Sequence, residues 1–176
     1  MIDAFRFIVD SVLSLAVYAF LLRLLLTVVR GDFRNPLSQA ILALTNWLVL
    51  PLRRLLPSVG RVDTAAVVAL LAIQFLYTLI MFRLLTGAMI PLVPLLVSGL
   101  RGLAVSAIQL CTILVFAYAL LSFITPDRYN PVASLLASLC EPLLRPLRRL
   151  LPITGGLDFS PLVAIIGLQA LRILIT

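Results

Sequence analysis

The heptapeptide Pro-Leu-Arg-Arg-Leu-Leu-Pro occupies residues 51–57 and returns unchanged at residues 146–152, 95 positions later. The same offset aligns the flanking sequence without a gap, and residues 35–80 match residues 130–175 at 19 of 46 positions. Self-similarity at a fixed spacing is the sequence signature of a duplicated structural unit. The sequence therefore predicts two tandem repeats, at 1–86 and 103–176, joined by a linker at 87–102.

The composition is too apolar for a water-soluble globule. Hydrophobic residues make up 62% of the chain and charged residues 12%, and the mean hydropathy is +1.19. Soluble domains have about 45–50% apolar and about 25% charged residues. A membrane span needs about 20 mainly apolar residues. Four segments fit this description, the last of them shorter, at 8–29, 63–85, 103–124 and 158–175.

The number of spans fixes the relation between the repeats. Two crossings in each repeat bring both copies into the membrane in the same direction, so the repeats are parallel. The predicted fold class is an all-α integral membrane protein of two parallel tandem repeats. In each repeat, two transmembrane helices are joined by an interfacial amphipathic helix and a Pro/Arg elbow, defined here as residues 51–57 and 146–152.

The loops inside each repeat have helical character. Leucine and isoleucine recur at helical spacing after Pro36, and asparagine precedes proline at both Pro36 and Pro131. Asparagine is a good N-cap, and proline suits the first turn of a helix. We expect interfacial helices at 36–50 and 131–145, ended by Pro51 and Pro146 because proline breaks a helix interior. A re-entrant hairpin is the alternative, and the linker is expected to be a partly helical segment at the outer interface.

Arginine distribution predicts the orientation. All 14 basic residues are arginine. Nine of them lie in the loops inside the repeats, four lie outside those loops, and Arg23 lies within a span. The positive-inside rule then places both elbows in the cytoplasm and both termini on the other side.

The elbows combine membrane entry with phosphate-binding chemistry. Their leucines can enter the bilayer while arginine, whose planar fork matches phosphate, faces the headgroups. Two interpretations stay open, a topology-setting turn and a specific surface for lipid or a partner. The elbow residues are Arg53, Arg54, Arg148, Arg149, Pro51, Pro57, Pro146 and Pro152. Gly60 and Gly155 are predicted to turn the chain, and Asp63 and Asp158 to cap the next helix, with Arg54–Asp63 and Arg149–Asp158 as candidate pairs.

Three glutamines fall inside predicted spans, namely Gln74, Gln109 and Gln169. Amides between membrane helices commonly serve as hydrogen-bonding glue, and the alternative is the polar lining of a permeation path. An ion path would usually need ionisable groups as well. The candidates are Asp10 and Arg23, both toward span ends, where Arg23 is expected to extend its charge to the interface.

The residue types present give little basis for catalysis or a cofactor. The chain has no histidine and two cysteines, Cys111 and Cys140, which are expected to be small buried apolar residues. Four ligands for a Cys/His metal site cannot be collected, and no nucleophile stands beside a base. We predict no enzyme activity, no metal and no cofactor, and no nucleic-acid partner, since the arginines lie beside apolar spans.

The order Asn-Pro, Pro-x-Arg-Arg-x-x-Pro and Gly-x-x-Asp resembles the YggT family, whose plastid branch includes Ycf-type and cytochrome-assembly relatives. The second copy is fuller, because Asp158-Phe159-Ser160-Pro161 matches the family's Asp-Phe-Ser-Pro step whereas the first copy has Asp63-Thr64-Ala65-Ala66. The resemblance implies a multi-pass protein of the bacterial inner (plasma) membrane without an assigned reaction. Relatives are linked to cell division, to membrane-complex or cytochrome assembly, and to osmotic response.

The leading hypothesis is a non-catalytic scaffold or assembly factor that binds anionic headgroups or a membrane-protein partner through its elbows. A second copy of the chain is a further candidate partner. The alternative is a small channel or an osmolyte- or ion-linked transporter, which would use the intramembrane glutamines.

Overall fold

The computed structural model describes residues 2–29, 31–56, 63–124, 130–150 and 158–176, and these form six α-helices without a strand. In chain order they are α1 (Ile2–Val29), α2 (Pro36–Leu55), α3 (Thr64–Thr86), α4 (Leu92–Ile124), α5 (Pro131–Leu150) and α6 (Ser160–Ile175). The all-helical prediction is confirmed for these residues.

Three of these helices, α1, α3 and α4, are long and apolar enough to cross a membrane. Helix α6 is apolar but has 16 residues, which at 1.5 Å per residue is about 24 Å. A hydrocarbon core is about 30 Å thick. Membrane crossing by α6 therefore stays a prediction, while the other three predicted spans coincide with helices of sufficient length.

The prediction that Pro51 and Pro146 end the interfacial helices is wrong. Both prolines lie inside their helices, which continue to Leu55 and Leu150. Proline in a helix interior costs about 3 kcal/mol, but the extra turn brings Leu52 against the core and aligns arginines with the next helix. Packing thus overrides the local preference. Of the predicted turn residues, Pro57, Gly60, Pro152 and Gly155 lie outside the described residues.

The segment 87–102, predicted to be partly helical, is regular helix from Leu92 onward. Helix α3 ends at Thr86, and Gly87 caps it with a left-handed φ of 71°, which suits glycine. Helix α4 then begins at Leu92 and continues without interruption to Ile124. Pro91 and Pro94 do not interrupt it, because they lie before and within its first turn, where a missing N–H has no intrahelical partner to lose.

Antiparallel helix pairs form the body of the protein. Along α1 and α3, Arg6 Nη2 donates to the Leu84 carbonyl at 2.6 Å and Tyr77 Oη donates to Asp10 Oδ1 at 2.7 Å. Along α4 and α6, Arg101 Nε donates to the Ile175 carbonyl at 2.6 Å. The buried core draws on all six helices, including Phe20, Leu26, Val49, Leu70, Val115, Leu144 and Ala164.

Helix α2 packs with its polar side inward. Ser38 and Thr45 are fully buried, whereas Leu44 and Trp47 are 67% and 66% exposed. Exposed apolar side chains also cover the outer faces of α1, α4 and α6. An apolar exterior around a partly polar interior suits a protein surrounded by lipid, because lipid offers no hydrogen bonds.

A buried arginine and two basic helix ends form the candidate functional site

Arg23 is enclosed between α1 and α2. Its side chain is 2% exposed, and its Nη1 donates to Thr45 Oγ1 at 2.7 Å and Asn46 Oδ1 at 2.9 Å. A third, longer contact from Nη1 reaches the Leu42 carbonyl at 3.5 Å. The predicted extension of the Arg23 charge into interfacial water is therefore wrong, because the guanidinium is buried inside the protein. The inward polar side of α2 supplies acceptors within reach, which the surrounding lipid does not.

No described carboxylate lies within 4 Å of Arg23. Arg53 and Asp63 are its charged neighbours, close enough to act on it electrostatically. We call Arg23, Arg53 and Asp63 the Arg23 cluster. It holds two cations and one anion, so its net charge is +1.

Arg53 bridges the end of α2 to the start of α3. Its Nη2 pairs with Asp63 Oδ2, while Asp63 Oδ1 accepts from the Ala66 amide at 3.4 Å as the N-cap of α3. The candidate pair Arg54–Asp63 is thus not formed, and the neighbouring arginine takes that place. The reason is geometric, because the helix continues past Pro51 and brings Arg53, whose side chain is 49% exposed, onto the side of α2 that contacts Asp63.

Arg148 makes the corresponding bridge from α5, in place of the candidate pair Arg149–Asp158. Its Nε donates to Asp158 Oδ2 at 2.9 Å, its Nη1 to Glu141 Oε2 at 3.2 Å and its Nη2 to Tyr118 Oη at 2.9 Å. The guanidinium carbon also lies 5.8 Å from the centre of the Tyr118 ring. Burial acts to lower the pKa of Arg148, but the hydrogen bonds to Tyr118 and Asp158 outweigh it and raise that pKa.

The Arg148 cluster, defined as Arg148, Glu141, Asp158 and Tyr118, differs in charge from the Arg23 cluster. One cation faces two carboxylates, so its net charge is −1. Asp158 accepts from the Ser160 amide at 2.9 Å, but α6 begins only after Phe159, so Asp158 lies one residue farther from its helix than Asp63 does. Tyr118 stands 95 residues after Arg23 and replaces a buried cation with a phenol.

The second arginine of each dipeptide faces outward. Arg54 and Arg149 are exposed, as is Arg145 one turn earlier on α5, and none of them forms an ion pair with a described residue. Each Arg-Arg dipeptide is therefore divided into one arginine that pairs with an aspartate and one that forms no ion pair with a described residue.

Asn35 joins the starts of α2 and α5. Its Oδ1 accepts from the Leu37 amide at 2.9 Å, as an N-cap does, and its Nδ2 donates to the Pro131 carbonyl at 2.7 Å. Asn130 caps α5 through the Val132 amide at 2.9 Å. The two predicted caps are confirmed, and the bridge by Asn35 brings the two helix starts into contact.

The three glutamines are not brought into one line. Gln74 is 1% exposed and approaches Gly102, while Gln169 Nε2 donates to Thr112 Oγ1 at 3.4 Å. Gly102 and Thr112 are both on α4, and ten residues of helix separate them by about 15 Å. Gln169 thus joins α6 to α4. Gln109 is partly buried.

Sequence reasoning missed the buried polar residues Ser38 and Thr45 and the half-buried Tyr118. The signal for the first two is their seven-residue spacing, which places them on one side of α2. Tyr118 could have been found by extending the 95-residue offset back to Arg23.

Comparison with known proteins identifies the family of this chain. The family model CCB3/YggT matches residues 2–85 and 97–176. The chain belongs to the CCB3/YggT family. Similar relatives include the uncharacterized protein PA0392 of Pseudomonas aeruginosa, 36% identical over 172 residues that cover 96% of this chain and 86% of the relative. The uncharacterized protein YggT of Escherichia coli K12 is 31% identical over 170 residues, covering 97% of this chain and 88% of the relative.

A further relative within the YggT group is an uncharacterized protein from the proC 3' region of Vibrio alginolyticus, 33% identical over 168 residues covering 95% of this chain and 90% of that protein. No solved structure matches the chain.

Proposed function

We propose that this protein is a non-catalytic scaffold or assembly factor of the bacterial inner membrane. In this proposal it binds anionic headgroups, or the acidic surface of a membrane-protein partner, through the exposed arginines near the ends of α2 and α5. The observation that carries the proposal is the division of each Arg-Arg dipeptide. Arg53 and Arg148 are paired with aspartate, whereas Arg54 and Arg149 are exposed and form no ion pair with a described residue.

The surroundings of Arg54 suit a membrane surface. Leu55 beside it is exposed, and so are Leu50 and Trp47 on the preceding turns. Trp47 precedes Arg54 by seven residues, which is about two helical turns, so both lie on similar sides of α2. Tryptophan favours the membrane–water interface, and a basic residue near an anionic surface gains about 1 kcal/mol.

We also propose that the basic ends of α2 and α5 lie on the same side of the membrane. This placement is supported by the Asn35–Pro131 hydrogen bond, which holds the starts of these two 20-residue helices together. The arginine distribution supports the cytoplasmic side. The partner protein is proposed to meet both ends at once, and a second copy of this chain is one candidate.

The single tryptophan of the chain, Trp47, gives a local measurement of lipid selectivity. The purified protein is reconstituted with brominated phosphatidylglycerol or brominated phosphatidylcholine, and quenching of Trp47 fluorescence reports which lipid surrounds α2. We expect preferential quenching by phosphatidylglycerol, reduced up to about fivefold by Arg54→Gln, since about 1 kcal/mol corresponds to that ratio.

Arg83→Gln is the matched control, because it removes the same charge from an exposed arginine in the last turn of α3, far from Trp47. Crosslinking in native membranes tests the partner, with Arg54→Gln/Arg145→Gln/Arg149→Gln expected to remove the crosslinked species. Unchanged lipid selectivity together with unchanged crosslinks would rule out the proposed binding surface.

A second candidate is a small channel or transporter that responds to osmotic conditions. The observation in its favour is Gln74, whose Oε1 is buried and has no partner among the described residues. Such an acceptor would suit a polar solute in a path between α3 and α4. Liposomes containing the protein should then leak an osmolyte or ion, and Gln74→Leu should stop that leak. Liposomes that contain the protein and leak neither osmolyte nor ion would rule out the channel or transporter function.

A further inference from the structure

Arg23 has a hydrogen-bonding edge that the protein does not use. All its hydrogen bonds come from Nη1, so Nε and Nη2, which carry three of the five N–H groups of a guanidinium, donate to no described residue. The enclosed side-chain atoms without a partner include Ser38 Oγ and Gln74 Oε1 but neither of these nitrogens.

The charge around this edge is not balanced within the described residues. Asp63 is 7% exposed at its side chain and is already paired with Arg53, so one positive charge of the Arg23 cluster is left over. An unbalanced buried cation is costly because it has lost its hydration. In the Arg148 cluster the matching position is Tyr118 and the arginine has two carboxylates. Of the two clusters, the Arg23 cluster is therefore the one with an excess of positive charge.

Arg23 lies at the depth where α3 begins. Arg6 contacts Leu84, and Asp10 contacts Tyr77, so α1 and α3 run in opposite directions. Continuing this register places Arg23 level with the first turn of α3, in agreement with its electrostatic contact with Asp63. The start of a membrane-spanning helix is where headgroup phosphates lie, and its N-terminus adds partial positive charge.

We infer that the Nε–Nη2 edge of Arg23 binds one phosphate oxyanion, with Arg53 supplying the second positive charge beside it. The planar fork of arginine matches two oxygens of a phosphate, and a monoanionic phosphodiester would bring the cluster to neutrality. The source is a phospholipid headgroup or free inorganic phosphate. Access is past Arg53, whose side chain is 49% exposed.

This site goes beyond the proposed scaffold function, since it does not use the exposed arginines. Replacing Arg54, Arg145 and Arg149 should leave it intact, so the two proposals can fail separately.

The test uses the full-length protein, delipidated in detergent, with binding measured by native mass spectrometry. The probes are phosphatidylglycerol, a diacylglycerol with the same acyl chains but no phosphate, and inorganic phosphate. We expect one phosphatidylglycerol to bind at least tenfold more tightly than diacylglycerol. Arg23→Gln should remove that preference, and Arg23→Lys, which keeps the charge but not the fork, should lower it severalfold.

Asp63→Asn separates ligand binding from a structural role. It removes the negative charge that competes with the ligand, while asparagine still caps a helix, so the phosphatidylglycerol affinity should rise severalfold. A residue that only maintained the fold would not produce a gain. Tyr118→Phe, at the matching position of the other half, is the control and should leave the affinity unchanged.

The probes also distinguish the two sources of phosphate. Inorganic phosphate that competes with phosphatidylglycerol would identify a phosphate site open to solvent, and no competition at millimolar phosphate would identify a headgroup site. The inference is overturned if phosphatidylglycerol binds no better than diacylglycerol and phosphate does not bind. It is also overturned if the folded Arg23→Gln or Arg23→Lys protein keeps the wild-type affinity, or if Asp63→Asn fails to strengthen binding.

Discussion

Asn35 shows how one side chain can serve two elements at once. Its oxygen caps α2 and its amide nitrogen holds the start of α5 at 2.7 Å. Asn130 stands at the matching position, yet the bond formed by its side chain is the cap of α5. Asn35 therefore caps its own helix and also contacts a second helix, whereas the described hydrogen bond of the Asn130 side chain is the cap of its own helix.

Replacing these asparagines should separate the cap from the bridge. Asn35→Ala should lower the free energy of unfolding by about 1 kcal/mol for the cap and by about 1 kcal/mol more for the bridge. Asn130→Ala should lose the cap alone and serves as the control. Unfolding in mixed micelles with increasing denaturing detergent measures both. Equal losses for the two variants would contradict the bridging role.

Single residues also mark the limit of what the sequence could predict. The caps at Asn35 and Asn130 follow from local chemistry, because an N-cap acts within its own first turn. Local chemistry does not predict which arginine, Arg53 or Arg54, pairs with Asp63. The pairing depends on which side of α2 each arginine occupies. Likewise, the burial of Arg23 depends on α2 folding back along α1 and offering Thr45 and Asn46 as acceptors.

At the scale of the elements, α2 continues through a residue that normally ends a helix. Pro51 is exposed within α2, so its cost is the missing hydrogen bond and the clash with the preceding turn. The final turn offsets that cost through Leu52 and the Arg53–Asp63 pair. Capping signals predicted where α2, α3 and α5 begin, but α1 and α4 begin at Ile2 and Leu92, before the predicted spans at 8 and 103. The ends of α2 and α5 depend on tertiary contacts and could not be predicted from local sequence.

Pro51→Ala should therefore stabilise the protein. Alanine restores the hydrogen bond, and the gain in unfolding free energy can reach about 3 kcal/mol if the helix relaxes fully. Pro36→Ala is the control, because proline at the first helical position has no bond to restore, and no gain is expected. Thermal unfolding in detergent measures both variants. A loss of stability in Pro51→Ala would show that α2 needs its proline.

Close approach of α3 and α4 gives a second prediction at this scale. A Cβ at Gly99 would lie 2.5 Å from Phe75 Cδ1, and a Cβ at Gly102 would lie 2.8 Å from Gln74 Nε2. Gly99→Ala should cost about 1–3 kcal/mol through overpacking against a rigid ring. Gly102→Ala should cost less, because the end of the Gln74 side chain can move.

Gly167→Ala on α6 is the matched control for the glycine series. A Cβ there would meet nothing within 4 Å, so the higher helix propensity of alanine should leave stability equal or improved. Unfolding midpoints of the three variants in one detergent give the comparison. An unchanged unfolding midpoint for the Gly99→Ala protein would mean that α3 and α4 are not packed as closely as described.

At the scale of the whole molecule, α1–α3 and α4–α6 each contain an arginine cluster, and the two clusters differ in net charge. The Arg23 cluster has a net charge of +1 and the Arg148 cluster a net charge of −1. The ordered Asn-Pro, Pro/Arg and Gly-x-x-Asp motifs predicted the family, which the family model confirms over 2–85 and 97–176. Those motifs could not predict the charge difference, because it arises from Arg23 and Tyr118, which lie outside them.

The central claim is that Arg54 and Arg149 lie on the same side of the membrane, and cysteine accessibility tests it directly. Cys111→Ala/Cys140→Ala provides the background, since these are the two native cysteines. Arg54→Cys, Arg149→Cys and the control Arg83→Cys are then exposed singly to a membrane-impermeant maleimide, before and after the inner membrane is opened. We predict that positions 54 and 149 react only after opening and that position 83 reacts before it; labelling of 54 and 149 from opposite sides would contradict the account.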